Sequence, residues 1–221
     1  MVEGPQFSDR REAGRKLAEA IGGTAIEQPV VLALPRGGVP VAYELARLMN
    51  APLDVLLVRK IGAPSNKEYG IGAVVDGNPP QRVLDETMAA YSRATSEYIE
   101  RETEKEIGEI ARRRTSYLGD RKPIPVTGRN FILVDDGIAT GNTVRAAIKA
   151  LRAQKAASIT LAVPVAPRDA IDRLKDEVDR IVCLATPSPF IAVGVHYADF
   201  TQVPDEEVQA LLTRQAGMQS G

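Results

Sequence analysis

One arrangement recurs along this chain. Short, uninterrupted apolar runs lead into turn residues, and each turn is followed by a stretch long enough for a helix. The runs lie at residues 30–34, 53–58, 131–134 and 158–165. A run of that length is too short for a buried helix. Its lack of polar alternation means that both faces are covered, which is the signature of a strand inside a parallel sheet. Strands alternating with helices imply βαβ units, so the expected class is α/β with a parallel sheet and flanking helices.

The helices follow from their boundary residues. Ser8 or Asp9 caps a helix reaching residue 21, which Gly22-Gly23 ends. Further helices are expected at 39–49, 141–154, 167–177 and 204–213, with additional strands at 73–76 and 179–184. Residues 59–72 are polar and glycine-containing and read as a mobile loop. The tail 214–221 has nothing to bury and is expected to fray.

Residues 85–119 differ in character. They are charge-dense, yet Ile99, Thr103, Ile107, Ile110 and Tyr117 recur at spacings that fit one helix face, and Thr95 or Ser96 can cap it. The segment reads as a long helix inserted into the α/β chain, packing on the core or on a second subunit. Its charges of opposite sign are interspersed, unlike a nucleic-acid-binding arm.

Composition narrows the function. Lys and Arg number 28 against 29 Asp and Glu, a net charge of −1, without the basic excess expected of a nucleic-acid-coating protein. The single Cys183 and the single His196 exclude an intrachain disulfide, a Cys-built zinc site and a multi-His metal centre. The polar start of the chain has no apolar core of a signal peptide, and no apolar run approaches the roughly 18 residues of a membrane span. A cytoplasmic location and no membrane partner are the expectations.

The chemistry concentrates in Phe131-Ile132-Leu133-Val134-Asp135-Asp136-Gly137-Ile138-Ala139-Thr140-Gly141-Asn142-Thr143. A buried strand runs into two adjacent carboxylates, a turn of small and hydroxyl residues follows, and then a helix opens. Ligands of open α/β sheets bind at the carboxyl ends of strands, and a helix N-terminus offers free N–H groups to a phosphate. Gly137 and Gly141 let backbone approach an anion, and Thr140 and Thr143 add hydroxyl donors. The two acids suit ligand hydroxyls, a hard cation or developing positive charge. The stretch has no lysine, so it is not the nucleoside-triphosphate P-loop. Gly70-Ile71-Gly72 precedes a strand, so it is no dinucleotide fingerprint.

Residues 134–143 resemble the phosphoribosyl-pyrophosphate (PRPP) binding motif of the type I phosphoribosyltransferases. The resemblance implies a single domain over 1–221: a phosphoribosyltransferase-type parallel-sheet core, a helical insert at about 85–119 and a small C-terminal hood at about 185–203. It implies that Asp135 and Asp136 bind the ribose hydroxyls and that Gly137, Ala139, Thr140, Gly141, Asn142 and Thr143 wrap the 5′-phosphate. Leu34-Pro35-Arg36-Gly37-Gly38 is similar to the family's pyrophosphate loop, with Arg36 and Gly37 as the contacts, often beside a non-proline cis peptide. Residues 58–70 resemble the flexible catalytic loop, in which Arg59, Lys60 and Lys67 face the pyrophosphate. Residues 187–200 resemble the hood, where Phe190 or Tyr197 stacks on a planar base and His196 is a further contact.

The implied activity is transfer of the phosphoribosyl group of PRPP to a nitrogen of a nucleobase-like acceptor, with loss of pyrophosphate. Mg²⁺ is the implied cofactor, carried on PRPP, with Asp135 and Asp136 as candidate ligands. PRPP and a small nitrogenous acceptor are the implied partners, and a homodimer the implied assembly. Two alternatives stay open on the same residues: a non-catalytic PRPP sensor or regulator, and another enzyme of phosphorylated sugars.

Overall fold

The runs at 30–34, 131–134 and 158–165 become strands whose alternate residues are claimed by different helices, whereas the expected strand 53–58 divides: only Leu53–Val55 joins the same sheet, and Val58 opens an antiparallel strand. The computed structural model describes residues 5–22 and 26–218. Among them, β1 (Val30–Ala33), β2 (Leu53–Val55), β6 (Asn130–Val134), β7 (Ser158–Val165) and β8 (Arg180–Ala185) form a parallel sheet ordered β2-β1-β6-β7-β8. Val31, Ala33, Ile132 and Val134 point to one layer, made by α1 (Arg10–Gly22), α2 (Gly38–Leu48), α4 (Ser96–Leu118) and α7 (Asp205–Met218). Val30, Leu32, Phe131, Leu133 and Leu161 point to the other, made by α5 (Asn142–Ala153) and α6 (Arg168–Leu174). Burial on both faces is why these runs show no polar alternation.

Residues 59–72 are not a loop. They belong to an antiparallel sheet of β3 (Val58–Gly62), β4 (Gly70–Val75) and β5 (Gln81–Leu84). Only 63–69 forms the connecting tip, closed by the Ala63 N–H on Tyr69 O at 2.7 Å. Ile61, Ile71 and Val74 are buried, and this small apolar set gives the hairpin a face to pack. Its glycines and charges mask that pattern in the sequence.

The segment 85–119 divides into α3 (Glu86–Tyr91) and α4, rather than one continuous helix. Asp85 caps the first through Met88 N–H (3.0 Å), and Thr95 caps the second through Tyr98 N–H (3.2 Å). Ile99, Ile110 and Tyr117 are buried on the α4 face read from the spacing, with Glu106 buried among them. The far end of α4 is held by Arg114, which donates to Asp54 (3.0 and 3.2 Å) and to Asp76. That contact explains an aspartate inside an apolar strand: a buried carboxylate needs a partner. Burial still pushes the Asp76 carboxyl above its ordinary range.

At the N-terminus Asp9 caps α1 through Glu12 N–H (2.7 Å), as expected. Gly23 lies outside the described residues. At the other end the expected fraying is corrected for residues 214–218, while 219–221 lie outside the described residues. α7 continues to Met218 because Gln215 is buried and donates to Ala51 O at 3.1 Å.

Candidate functional site

The two glycines after β1 and the two aspartates after β6 meet in space. β1 and β6 are neighbouring strands in register from Val30–Phe131 to Ala33–Val134, so their following turns leave the sheet side by side. Leu34 N–H donates to Val134 O at 2.9 Å, holding the first turn against the second. The approach is so close that a Cβ on Gly37 would lie 2.0 Å from Asp136 Oδ2, and one on Gly38 would lie 2.8 Å from Val134 O. Only glycine fits. The Pro35–Arg36 peptide bond is cis, at the place the family pattern indicated.

The turn after the aspartates is open. Ile138 N–H is spent on Val165 O (2.9 Å), and Arg145 N–H on Gly141 O (2.8 Å). Between them, the N–H groups of Ala139, Thr140, Gly141, Asn142 and Thr143 donate to no protein acceptor among the described residues, and nor do those of Arg36 and Gly37. Gly141 has φ +82°, which turns the chain into α5. The result is two adjoining sets of free amides, one at a helix N-terminus, with a carboxylate pair between them.

Asp135 accepts the Asp136 N–H on Oδ1 at 2.9 Å. Desolvation, reinforced by the neighbouring Asp136 charge, pushes the Asp135 carboxyl well above the usual carboxylate range. Asp136 has a cationic partner that the sequence did not disclose, Arg10 of α1, whose Nε donates to Oδ2 at 2.8 Å. Tyr197 adds its hydroxyl to Asp136 O at 2.6 Å.

A cleft of about 820 Å³ opens beside the phosphate turn, between the β3–β5 sheet and α5. Arg59, Lys60, Thr140, Asn142, Thr143, Arg145 and Lys149 line it. Arg59 and Lys60 are thus brought to the turn, but by a strand rather than a free loop. Their charges are engaged. Arg59 pairs with the buried Glu106 at 2.8 Å, and Lys60 with the exposed Glu68 at 3.2 Å. Lys67, in the hairpin tip, pairs with Glu102 at 2.8 Å and donates to Tyr98 Oη at 2.7 Å. The Tyr98 hydroxyl itself donates to Gly62 O at 2.7 Å. Arg36 reaches Asp205 at the start of α7, at 3.6 Å.

The C-terminal segment also differs in detail from expectation. Phe190 does not present a free face: it stacks on His196, with centroids 5.5 Å apart and planes 29° from parallel. His196 is buried, and desolvation lowers its pKa. Tyr197 packs between Phe7 (5.3 Å) and Phe200 (5.1 Å), so it too is a structural ring. The large apolar side chains left exposed here are Ile191, Val195 and, at its edge, Phe200. The segment does reach the site, because a Cβ on Gly137 would lie 2.4 Å from Val193 Cγ1.

Arg10, Arg145 and Lys149 are charged residues at the site that sequence reasoning missed. Nothing local marks Arg10, which lies 126 positions from its partner. Lys149 carried a signal, since it falls on the face of α5 that also bears Asn142, Arg145 and Ala146, all lining the cleft.

Comparisons with known proteins identify the family of the chain. A family model described as the phosphoribosyl transferase domain matches residues 7–199. Two Mycobacterium tuberculosis proteins, from strains CDC 1551 and H37Rv and both provisionally named phosphoribosyl transferases, are 44% identical over 208 residues, 94% of this chain. The chain spans about half the length of these curated relatives, 46%. The crystal structure of TT1426 from Thermus thermophilus is 43% identical with a TM-score of 0.83, covering 95% of this chain and 99% of that one. A ribose-phosphate pyrophosphokinase of Methanosarcina acetivorans is 37% identical over 83 residues, 32% of this chain and 29% of that entire protein. Among the described residues, no helix is long and apolar enough to cross a membrane.

Proposed function

The chain belongs to the phosphoribosyl transferase domain family, and from that premise we propose that it moves the 5-phosphoribosyl group of PRPP to a nitrogen of a nucleobase-like acceptor, releasing pyrophosphate. The observation that carries this reading is the meeting of Gly37 with Asp136 between two sets of free backbone amides. Two separate anion cradles flanking two acids fit a sugar that bears a phosphate at one end and a pyrophosphate at the other.

In this reading the amides of Ala139 to Thr143 and the hydroxyls of Thr140 and Thr143 receive the 5′-phosphate. The amides of Arg36 and Gly37 receive the pyrophosphate. Asp135 and Asp136 hold the ribose hydroxyls. The C1–O bond breaks with its electron pair leaving on pyrophosphate, and positive charge builds on the ribose. In this reading Asp136, fixed by its 2.8 Å ion pair with Arg10, is the acid that stabilises that charge without reorganisation. The acceptor nitrogen gives its lone pair to C1 and loses its proton. Two adjacent carboxylates are the hard oxygen donors that Mg²⁺ prefers, and the ion when bound neutralises the departing pyrophosphate.

One observation favours a second reading, a PRPP sensor without turnover. Arg59 and Lys67, which the resemblance assigns to the pyrophosphate, are tied to Glu106 and Glu102 of α4. One experiment separates the two: calorimetric titration with PRPP and Mg²⁺, followed by pyrophosphate release with a panel of bases. Binding with release under at least one acceptor supports the transferase. Binding without release under any acceptor supports the sensor, and no binding removes both. In the transferase, Asp136→Asn lowers kcat by about a hundredfold or more, beyond any loss of folded protein seen by thermal unfolding of the same sample. Unchanged turnover in the purified variant contradicts the assignment.

A further inference from the structure

Arg10 has no place in the PRPP pattern, yet its guanidinium is bonded to one of the two acids of the site. Nε donates to Asp136 Oδ2 and Nη1 to Thr201 O, both at 2.8 Å. The guanidinium carbon lies 3.9 Å from the centroid of the Phe200 ring. Its side chain is 10% exposed and that of Asp136 14%. One side chain therefore joins three parts of the molecule: the start of α1, the turn after β6 and the C-terminal segment.

The backbone around Arg10 makes the same connection. Gln6 and Phe7 N–H groups donate to His196 O at 2.9 and 3.1 Å. In return Ala198 donates to Phe7 O and Asp199 to Ser8 O, each at 2.8 Å. The segment that carries Arg10 and the segment that resembles the hood are thus zipped together just ahead of Arg10. Arginine suits the junction chemically. Its planar fork serves two acceptors at once, its face stacks on an aromatic ring, and it does not lose its charge when buried. A carboxylate and a guanidinium so poorly exposed fix one another, since either left alone is a buried charge without a partner.

We propose that Arg10 is a positioning residue that joins the Asp136 carboxylate to the 193–201 segment, so that occupation of the ribose site orders the cover over the acceptor site. The proposal rests on Asp136 being the ribose-binding acid. Ligand hydroxyls hold Asp136 in one orientation. Arg10 carries that restraint to Thr201 and Phe200, and by reciprocity a seated cover strengthens the hold on PRPP.

The test is hydrogen exchange at the Ala198 and Asp199 amides, with and without PRPP in Mg²⁺ buffer, alongside calorimetric PRPP affinity. It is applied to the wild type, Arg10→Gln, Arg10→Lys and Asp136→Asn. In the wild type, PRPP slows both amides by about tenfold. In Arg10→Gln they exchange faster without ligand, PRPP no longer slows them, and PRPP affinity falls by about tenfold to a hundredfold, the scale of a lost charge-assisted contact. Arg10→Lys restores part of the PRPP-dependent slowing. A merely structural arginine would change the basal rate and leave that slowing in place, so retained slowing in Arg10→Gln overturns the proposal. Asp136→Asn is remote from Ala198 in sequence, and it speeds the same amides without any ligand; a wild-type rate there also overturns the link. Should the wild type fail to bind PRPP, the ribose reading falls, and the Asp136→Asn arm still decides the link between Asp136 and the segment. Should Arg10→Gln not fold, Arg10→Lys and Asp136→Asn carry the same comparison.

Discussion

Two sets of groups that the proposed reading assigns to the anions of PRPP are held in different ways. The turns after β1 and β6 are fixed by backbone: neighbouring parallel strands, a Leu34–Val134 hydrogen bond and glycines pressed against Asp136. The β3–β5 hairpin is fixed by side chains: Arg59 on Glu106, Lys67 on Glu102 and Tyr98, all reaching to α4. The first arrangement presents free donors on backbone held by the sheet itself. The second presents cations already neutralised, through contacts that are partly solvated and each worth little. A rigid cradle beside a hairpin on exchangeable partners is what a site needs if it is to grip one anion permanently and enclose another on demand.

The largest expected effect tests rigidity. Gly37→Ala brings a methyl to 2.0 Å from Asp136 Oδ2, so either the acid turns away or the turn withdraws. We expect loss of measurable PRPP binding by calorimetry and a destabilisation of about 1–3 kcal/mol in thermal unfolding. The matching change on the hairpin is Gly70→Ala, whose Cβ would meet only the Lys60 stem, at 3.3 Å. That stem is a flexible side chain, and binding should survive within a few-fold. Equal damage from the two variants would erase the distinction.

Next comes the clasp. Glu106→Gln removes the charge that holds Arg59. The β3 amides should exchange about fivefold faster, corresponding to about 1 kcal/mol of lost local stability, while the amides of β6 stay at their wild-type rates. If β6 responds equally, the hairpin and the cradle are one unit and the comparison fails.

The legibility of the molecule divides along the same line. Strands β1, β6 and β7 announce themselves because burial on both faces leaves runs such as Phe131-Ile132-Leu133-Val134, and the acid pair and its turn follow directly in sequence. Whatever depends on local order is therefore readable, down to the helix caps at Asp9 and Thr95. The hairpin reads as a loop because its strands are short, with Gly62, Gly70 and Gly72 where β-branched residues would mark a strand. Partnerships across distance leave no signal at all. Asp54 is anomalous in an apolar run until Arg114 supplies its counter-ion. Phe190 resembles a base-stacking platform until His196 covers it.

A smaller effect concerns Lys149, which lines the cleft from α5 with no ion-pair partner among the described residues. Lys149→Gln should weaken PRPP by about two- to fivefold at low salt and less at about 0.15 M, because an exposed charge acts through a screened field. Equal affinity at low salt would show that the anion does not extend along α5, leaving the cradle amides as the whole phosphate site.

The smallest effect lies at the join between α1 and the cover. Ser8 N–H donates to the Glu12 carboxylate, while Lys16 pairs with it at 2.9 Å, and together they lower the Glu12 pKa from 4.5 to about 2. The backbone hydrogen bond is the first cause and the lysine a secondary one. A carboxyl whose folded pKa lies below its unfolded value binds fewer protons when folded, so its contribution to stability is present above about 4.5 and is lost as pH falls toward 2. Ser8 O also accepts the Asp199 N–H, so acid should loosen the cover locally before it unfolds the sheet. Between these pH values, Asp199 exchange corrected for intrinsic rate should rise in the wild type. In Glu12→Gln it should be fast throughout and independent of pH. A pH-dependent rise that persists unchanged in the variant would assign the effect to another acid.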